Sequence, residues 1–243
     1  MGMRGPTIEA AVWGGMSQEA AKFGAMKLLS VNCGLPREVE WHGRKVSTGI
    51  YKSPVKGRVL LRRLNLECDR QADLTVHGGA DKAVYCYQIS HYEFWKERLP
   101  EVELPMGAFG ENFTIDGPAE EFIFVGDRFS VGSAEIVVTQ PRQPCYKLGI
   151  RFGSDLMVRR FLASGRTGFY VKVSREGEVG AGDELRLVSR EADAVPVSEV
   201  MRLYLAESFT EHDLGVLRRL VKLEALPEGW KEYFQPLAEE RPR

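Results

Sequence analysis

Ala134-Glu135-Ile136-Val137-Val138-Thr139-Gln140-Pro141-Arg142-Gln143-Pro144-Cys145-Tyr146-Lys147-Leu148-Gly149 is a β-like apolar run that gives way to a proline-bounded turn with one cysteine in it. Proline fixes φ and withdraws a backbone donor, so the strand is expected to stop ahead of the turn. Arg142 and Lys147 put positive charge within a few residues of Cys145. Such charge favours the thiolate, the nucleophilic and metal-binding form of the side chain. The other reading of Cys145 is a small buried hydrophobe, a common fate of free cysteine. Local sequence leaves the two open.

Outward from this turn, short apolar runs separated by Gly and Pro recur from Met26 to about Val188. They include Met26–Val31, Val59–Leu61, Glu121–Val125, Gly168–Val173 and Glu184–Val188. Many short strands over that length predict a barrel. Two helices are expected to interrupt it, Asp81–Leu99 and Ser154–Ala163, with Asp81 and Ser154 at their N-caps. After Glu191 the pattern turns helical over Val197–Tyr204, Leu214–Leu223 and Trp230–Leu237, punctuated by Pro196, Thr210 and Pro227-Glu228-Gly229. The expected organisation is therefore α+β, mainly β with helices. Residues 1–25 form an N-terminal extension, disordered or a vector remnant, with a short helix over Ser17–Phe23. Residues 26–190 form the barrel, and residues 191–243 a three-helix domain that packs on it.

The 243 residues carry 33 basic and 34 acidic side chains, a net charge of −1 that argues against broad nucleic-acid binding while leaving room for a local phosphate pocket. Cys33, Cys68, Cys86 and Cys145 are widely spaced, without a C-x-x-C pair, so structural zinc and iron–sulfur sites are not expected. The sequence has neither a run long enough to span a bilayer nor a signal-peptide pattern, which points to the cytoplasm and to reduced thiols. G-x-S-x-G, H-E-x-x-H, a Walker loop and G-x-G-x-x-G after a strand are all missing.

Two further segments carry candidate site residues. In His77-Gly78-Gly79-Ala80-Asp81-Lys82-Ala83-Val84 a histidine and two glycines precede an expected helix, where backbone N–H groups and Lys82 can receive an anion. The alternative is a plain Gly-rich turn with His77 holding it together. In Phe109-Gly110-Glu111-Asn112-Phe113-Thr114, Glu111 and Asn112 either bind a ligand or cap a turn. The aromatic residues Tyr85, Tyr87, Tyr92, Phe94 and Trp95 read mainly as core packing.

In combination, H-G-G-x-x-K-A-V at 77–84, F-G-E-N at 109–112 and P-R-x-P-C-x-K-L at 141–148 resemble the MOSC family, and the helical tail is similar to the YiiM-type arrangement. The resemblance runs from about Met26 to the C-terminus. It implies a β-barrel holding a molybdenum cofactor of the molybdopterin type, with Cys145 as molybdenum ligand or as carrier of transferable sulfur. His77, Gly78, Gly79, Lys82, Arg142, Glu111 and Asn112 would line the cofactor site, the two glycines, Lys82 and Arg142 at the pterin phosphate. The implied activity is reduction of N-hydroxylated compounds, with electrons from a separate flavin- or cytochrome-type partner. Alternatives are sulfur transfer through a Cys145 persulfide and non-enzymatic cofactor carriage. This chain departs from the family pattern at Asn65 and Cys68, where relatives tend to have glycine; the side chains there would narrow the pocket, or Cys68 would add a second thiol near it.

Overall fold

The computed structural model describes residues 26–70 and 78–239. Its strands are Met26–Cys33 (β1), Arg37–Trp41 (β2), Arg44–Thr48 (β3), Ser53–Pro54 (β4), Arg58–Leu61 (β5), Val84–Gln88 (β6), Phe113–Asp116 (β7), Arg128–Val131 (β8), Ala134–Pro141 (β9), Phe169–Arg175 (β10), Gly177–Gly180 (β11) and Glu184–Ser189 (β12). Its α-helices are Ser90–Arg98 (α1), Tyr146–Phe152 (α2), Leu156–Ala163 (α3), Val197–Leu205 (α4), Glu211–Leu220 (α5) and Glu228–Ala238 (α6).

Pairing runs β12-β8-β9-β10-β6-β7-β1, and β1 returns to β12 with Met26 opposite Leu185, so seven strands close into a ring. Closure removes the unpaired edges that an open sheet would present. Within the ring β6 and β7 are parallel, and α1 supplies the long crossover such a pair needs. The β2–β3 hairpin, the β5–β11 pair and β4 lie outside the ring. Inward-facing residues such as Leu28, Val84, Phe113, Phe129, Val171 and Leu185 fill the barrel. A second apolar cluster joins Leu203, Leu214, Leu217, Trp230 and Phe234 of the C-terminal helices to Val125 and Val137 of the barrel side. The aromatic residues form a third cluster, where Trp95 Nε1 donates to Tyr87 Oη at 2.8 Å.

Several expectations change. The chain from Val84 is a strand rather than the start of a helix. Asp81 lies in a 3-10 turn, Ala80–Lys82, and the helix begins at Ser90. All five residues of β6 are buried, so neither helical nor alternating periodicity marks them. Glu121–Val125 is not a strand. A 3-10 turn covers Glu120–Phe122, and Phe124 then bridges to Pro196 ahead of α4. Strand β9 continues through Pro141, and the turn comes later, because Arg142 N still donates to Gly168 O at 3.2 Å. The turn leads into α2, whose N-cap is Cys145, a helix with no counterpart in the expected elements. Helix α3 starts at Leu156 with Asp155, rather than Ser154, at the N-cap. Residues 1–25, with the expected Ser17–Phe23 helix, lie outside the described residues, as does His77.

The expectation of four reduced thiols also fails, since Cys33 and Cys68 form a disulfide with Cα atoms 5.7 Å apart. Cys68 is therefore not a second thiol for the site. Cys86 is free and fully buried, and that burial pushes its thiol well above the ordinary range. Among the described residues no helix is long and apolar enough to cross a membrane.

Candidate functional site

A cavity of about 670 Å³, part of it open to solvent, lies where β10 begins, at the level at which Phe169 pairs with Cys86 of β6 and with Pro141 of β9, and the segments leading into β6 and β7 also line it. Cys145, Lys82, Arg142 and Asn112 all line it, as do Lys52, Asp69, Tyr85, Lys147 and Tyr170. Residues from six separate parts of the chain converge here, because cross-strand pairing sets Tyr170 beside Tyr85 and the adjoining loops close around them.

Arg142 is 6% exposed. Its backbone closes the last β9–β10 bond, its Nη1 donates to Phe109 O at 2.8 Å, and its guanidinium lies 4.5 Å from the Tyr85 ring centre. Burial pulls its pKa down, but Tyr85, Tyr170 and Cys145 more than offset that, and the net direction is up. It is a permanent cation. Burial conversely raises Tyr85 and Tyr170, so both phenols stay protonated at neutral pH.

Lys82 stands at the end of the 3-10 turn, where burial lowers its pKa against the opposing pull of Asp81 and Cys145. Lys147, in the first turn of α2, is also largely buried on the cavity wall. The electrostatic neighbours of Cys145 named from its own turn, Arg142 and Lys147, are joined by Lys82 from 63 positions away in the chain. Cys145 itself is half-buried.

On the same cavity wall, Lys52 Nζ donates to both carboxylate oxygens of Asp69 at 2.5 Å. Asp69 also accepts from Gly34 N at 2.9 Å and from Asn112 Nδ2 at 2.9 Å. Burial lowers the Lys52 pKa, and Asp69 works against that shift. The sequence offered no signal for this pair, since neither residue sits in a recognisable motif; only the fold joins them.

Glu111 moves to a different role. It is fully buried behind the cavity wall, accepting from Gly107 N at 2.8 Å, Phe109 N at 3.1 Å and Thr114 Oγ1 at 2.9 Å, and from Tyr92 Oη. It shapes the Phe109–Asn112 turn and does not face the cavity. Burial raises its pKa, an effect those hydrogen bonds oppose. Gly110 holds φ +82° there, and an added Cβ would come within 2.8 Å of Ile50 Cγ1. Glycine is required on both counts.

The expected anion cradle at Gly78 and Gly79 is not assembled as an α-helix N-terminus. Gly79 caps only the three-residue 3-10 turn, and neither glycine lines the cavity. Asn65 Nδ2 donates to Asp69 O at 3.3 Å, so its side chain braces the turn and leaves the cavity unobstructed.

Residues 73–186 match the MOSC domain and residues 195–236 match the YiiM-like, 3-alpha helix domain. The chain is 37% identical over 190 residues to Protein YiiM of Escherichia coli, covering 77% of this chain and 83% of that one. This chain belongs to the YiiM family of MOSC-domain proteins. Its similarity to YflK of Bacillus subtilis is 42% over 207 residues, 85% of this chain and 92% of that protein. It is also 30% identical over 204 residues to a protein named Reductase from Gibberella moniliformis, covering 83% of this chain but 35% of that longer relative. Among solved structures, YiiM from Geobacillus stearothermophilus superposes with a TM-score of 0.73 at 30% identity, covering 88% of this chain and 99% of that one. The seven-strand barrel with its C-terminal helical module is the YiiM fold.

Proposed function

We propose that this protein is a molybdenum-cofactor-dependent reductase of N-hydroxylated compounds, including bases and amidines. The observation that carries this reading is a half-buried cysteine on the wall of a cation-rich cavity in a YiiM-family chain. The donor set fits the cofactor. Lys52, Lys82, Arg142 and Lys147 face one carboxylate, Asp69, which leaves positive charge for a pterin phosphate, and Cys145 offers the soft sulfur suited to molybdenum. Among the described residues no group of three His, Cys, Asp or Glu side chains is placed to hold a metal ion. Cys145 would therefore share the metal with donors of the cofactor.

When bound, the cofactor supplies the two-electron chemistry at molybdenum. Arg142 and Lys147 would hold its phosphate, and the Asp69–Lys52 pair with Asn112 would fix the cavity wall they share. Cleavage of the substrate N–O bond consumes two electrons and two protons, releasing water and the reduced nitrogen compound. We assign one proton to Lys82 Nζ, since burial lowers its pKa and makes its ammonium a stronger acid than a solvated lysine. The electrons come from a separate flavin- or cytochrome-type reductase.

Molybdenum and pterin content test the reading, measured on protein produced in a host that makes the cofactor. Near-stoichiometric molybdenum in the wild type and a loss of at least tenfold in Cys145→Ser are expected, with benzamidoxime reduced only by the loaded wild type. Absence of molybdenum from wild type after verified cofactor supply overturns the reductase reading and favours persulfide transfer through Cys145.

A further inference from the structure

Cys33 ends β1 and Cys68 lies in the turn after β5, and beside their disulfide the residues that follow them also meet. Gly34 N donates to Asp69 Oδ1 at 2.9 Å, and Arg70 N donates to Gly34 O at 3.2 Å. Asp69 in turn accepts from Lys52 Nζ and Asn112 Nδ2. Lys52, Asp69, Arg70 and Asn112 all line the Cys145 cavity. The disulfide is thus one residue away from the carboxylate that organises this wall.

The effect of the disulfide on the cavity is confined to that wall. Gly34 is fixed independently of it, because its backbone packs on Tyr51 O with no room for a Cβ. Leu61 and Leu66 anchor the Cys68 turn in the barrel core. Inside the turn, Glu67 N donates to Leu60 O and Asp69 N to Leu66 O, both at 2.9 Å. Opening the disulfide therefore leaves the turn in place, with Asp69 tied to Gly34 by hydrogen bonds alone. Cys33 is 9% exposed, whereas Cys68 is half-buried and keeps contact with solvent. Access of this kind is what thiol–disulfide exchange needs.

We propose that Cys33–Cys68 is a redox switch on the cavity: the oxidised protein holds the wall ready for a phosphorylated ligand, and the reduced protein binds that ligand more weakly. The reductant is a dithiol. Its thiolate attacks one sulfur of the pair to form a mixed disulfide, and the released cysteine sulfur takes a proton. The second thiol of the reductant then displaces the other cysteine. Two electrons and two protons pass to Cys33 and Cys68, and the dithiol leaves as a cyclic disulfide. Preorganisation sets the direction, since the reduced protein must order Asp69 at the moment of binding. The switch regulates the site of the proposed function and takes its phosphorylated ligand from that reading.

Inorganic phosphate is the probe, followed by phosphorus NMR on full-length protein produced without the cofactor, oxidised or reduced with dithiothreitol. Saturable binding to the oxidised protein is expected, weakened about 2- to 12-fold by reduction, the worth of one hydrogen bond. By linkage, saturating phosphate should make the disulfide harder to reduce by the same factor, read as the dithiothreitol ratio at half-reduction. Cys33→Ser/Cys68→Ser should match the reduced protein and ignore dithiothreitol, while Cys145→Ser should keep the ratio of oxidised to reduced affinity. Near-UV circular dichroism should show both redox states equally folded without denaturant. The proposal is overturned by oxidised protein that does not bind phosphate, by equal affinity in the two states, by a response lost in Cys145→Ser, or by reduced protein that has unfolded. A phosphate response in a chain that takes up no molybdenum would remove the reductase function and leave the switch standing. Molybdenum loading without a phosphate response would do the reverse.

Discussion

Asp69→Asn tests the electrostatic construction of the cavity wall. In the wild type Asp69 faces Lys52 at 2.5 Å, with the two side chains 2% and 8% exposed. Substitution by asparagine leaves a buried ammonium without its counter-charge, and breaking such a pair typically costs about 3–5 kcal/mol. The pH dependence gives a second, sharper criterion. Burial already holds the Lys52 pKa below its unfolded value of 10.5, so the folded protein releases this proton before the unfolded chain does. Stability from this group therefore rises with pH between the folded and unfolded pKa values, by at most about 1.4 kcal/mol per pH unit. Losing Asp69 removes the attraction that opposes the shift, so the folded pKa falls further and the rise begins at lower pH. Urea unfolding of wild type and Asp69→Asn across pH 7 to 10 should show a large deficit at pH 7 that narrows towards pH 10. The double variant Lys52→Met/Asp69→Asn should recover much of the deficit, since neither charge of the pair remains and asparagine still offers an oxygen to Gly34 N. A deficit below about 1 kcal/mol at pH 7, or one constant across the series, would refute the reasoning.

The Cys33–Cys68 disulfide closes a loop of 35 residues, for which chain entropy gives about 4 kcal/mol. Dithiothreitol should lower the urea midpoint accordingly, with Cys33→Ser/Cys68→Ser as the control that no longer responds. Thr210 caps α5 by accepting from Asp213 N at 3.2 Å, while the Asp213 carboxylate accepts from Thr210 N at 2.8 Å. Thr210→Ala should cost about 1–2 kcal/mol in the same assay. Those hydrogen bonds to Thr210 hold the Asp213 carboxyl down at about 2, below its ordinary 3.8. Their contribution should be complete above pH 4 and lost as pH falls towards 2, a loss that Asp213→Asn should abolish.

Sequence by itself determined the parts governed by local chemistry. The helical periodicity after Glu191 appears as α4, α5 and α6, and Thr210 punctuates it as a true cap, because an amphipathic stripe and a capping hydroxyl act within one or two turns. The apolar runs at Met26, Ile136, Phe169 and Glu184 became barrel strands for the same reason. The motif around Cys145 contains two residues, Cys145 and Arg142, that line the cavity. Tertiary structure decided what depends on distant partners. Strand β6 is buried on both faces between β10 and β7, which erased the alternation that would have revealed it. Glu111, adjacent to a cavity-lining asparagine, turned inward to satisfy two backbone N–H groups. Lys52 met Asp69, Cys33 met Cys68, and Gln140 met Trp230 across 90 positions, through contacts that exist only after the ring closes and the helices dock. Periodicity reports which face of a segment is apolar; which residues share a cavity is set by strand order and direction, and neither is written in any local stretch of the chain.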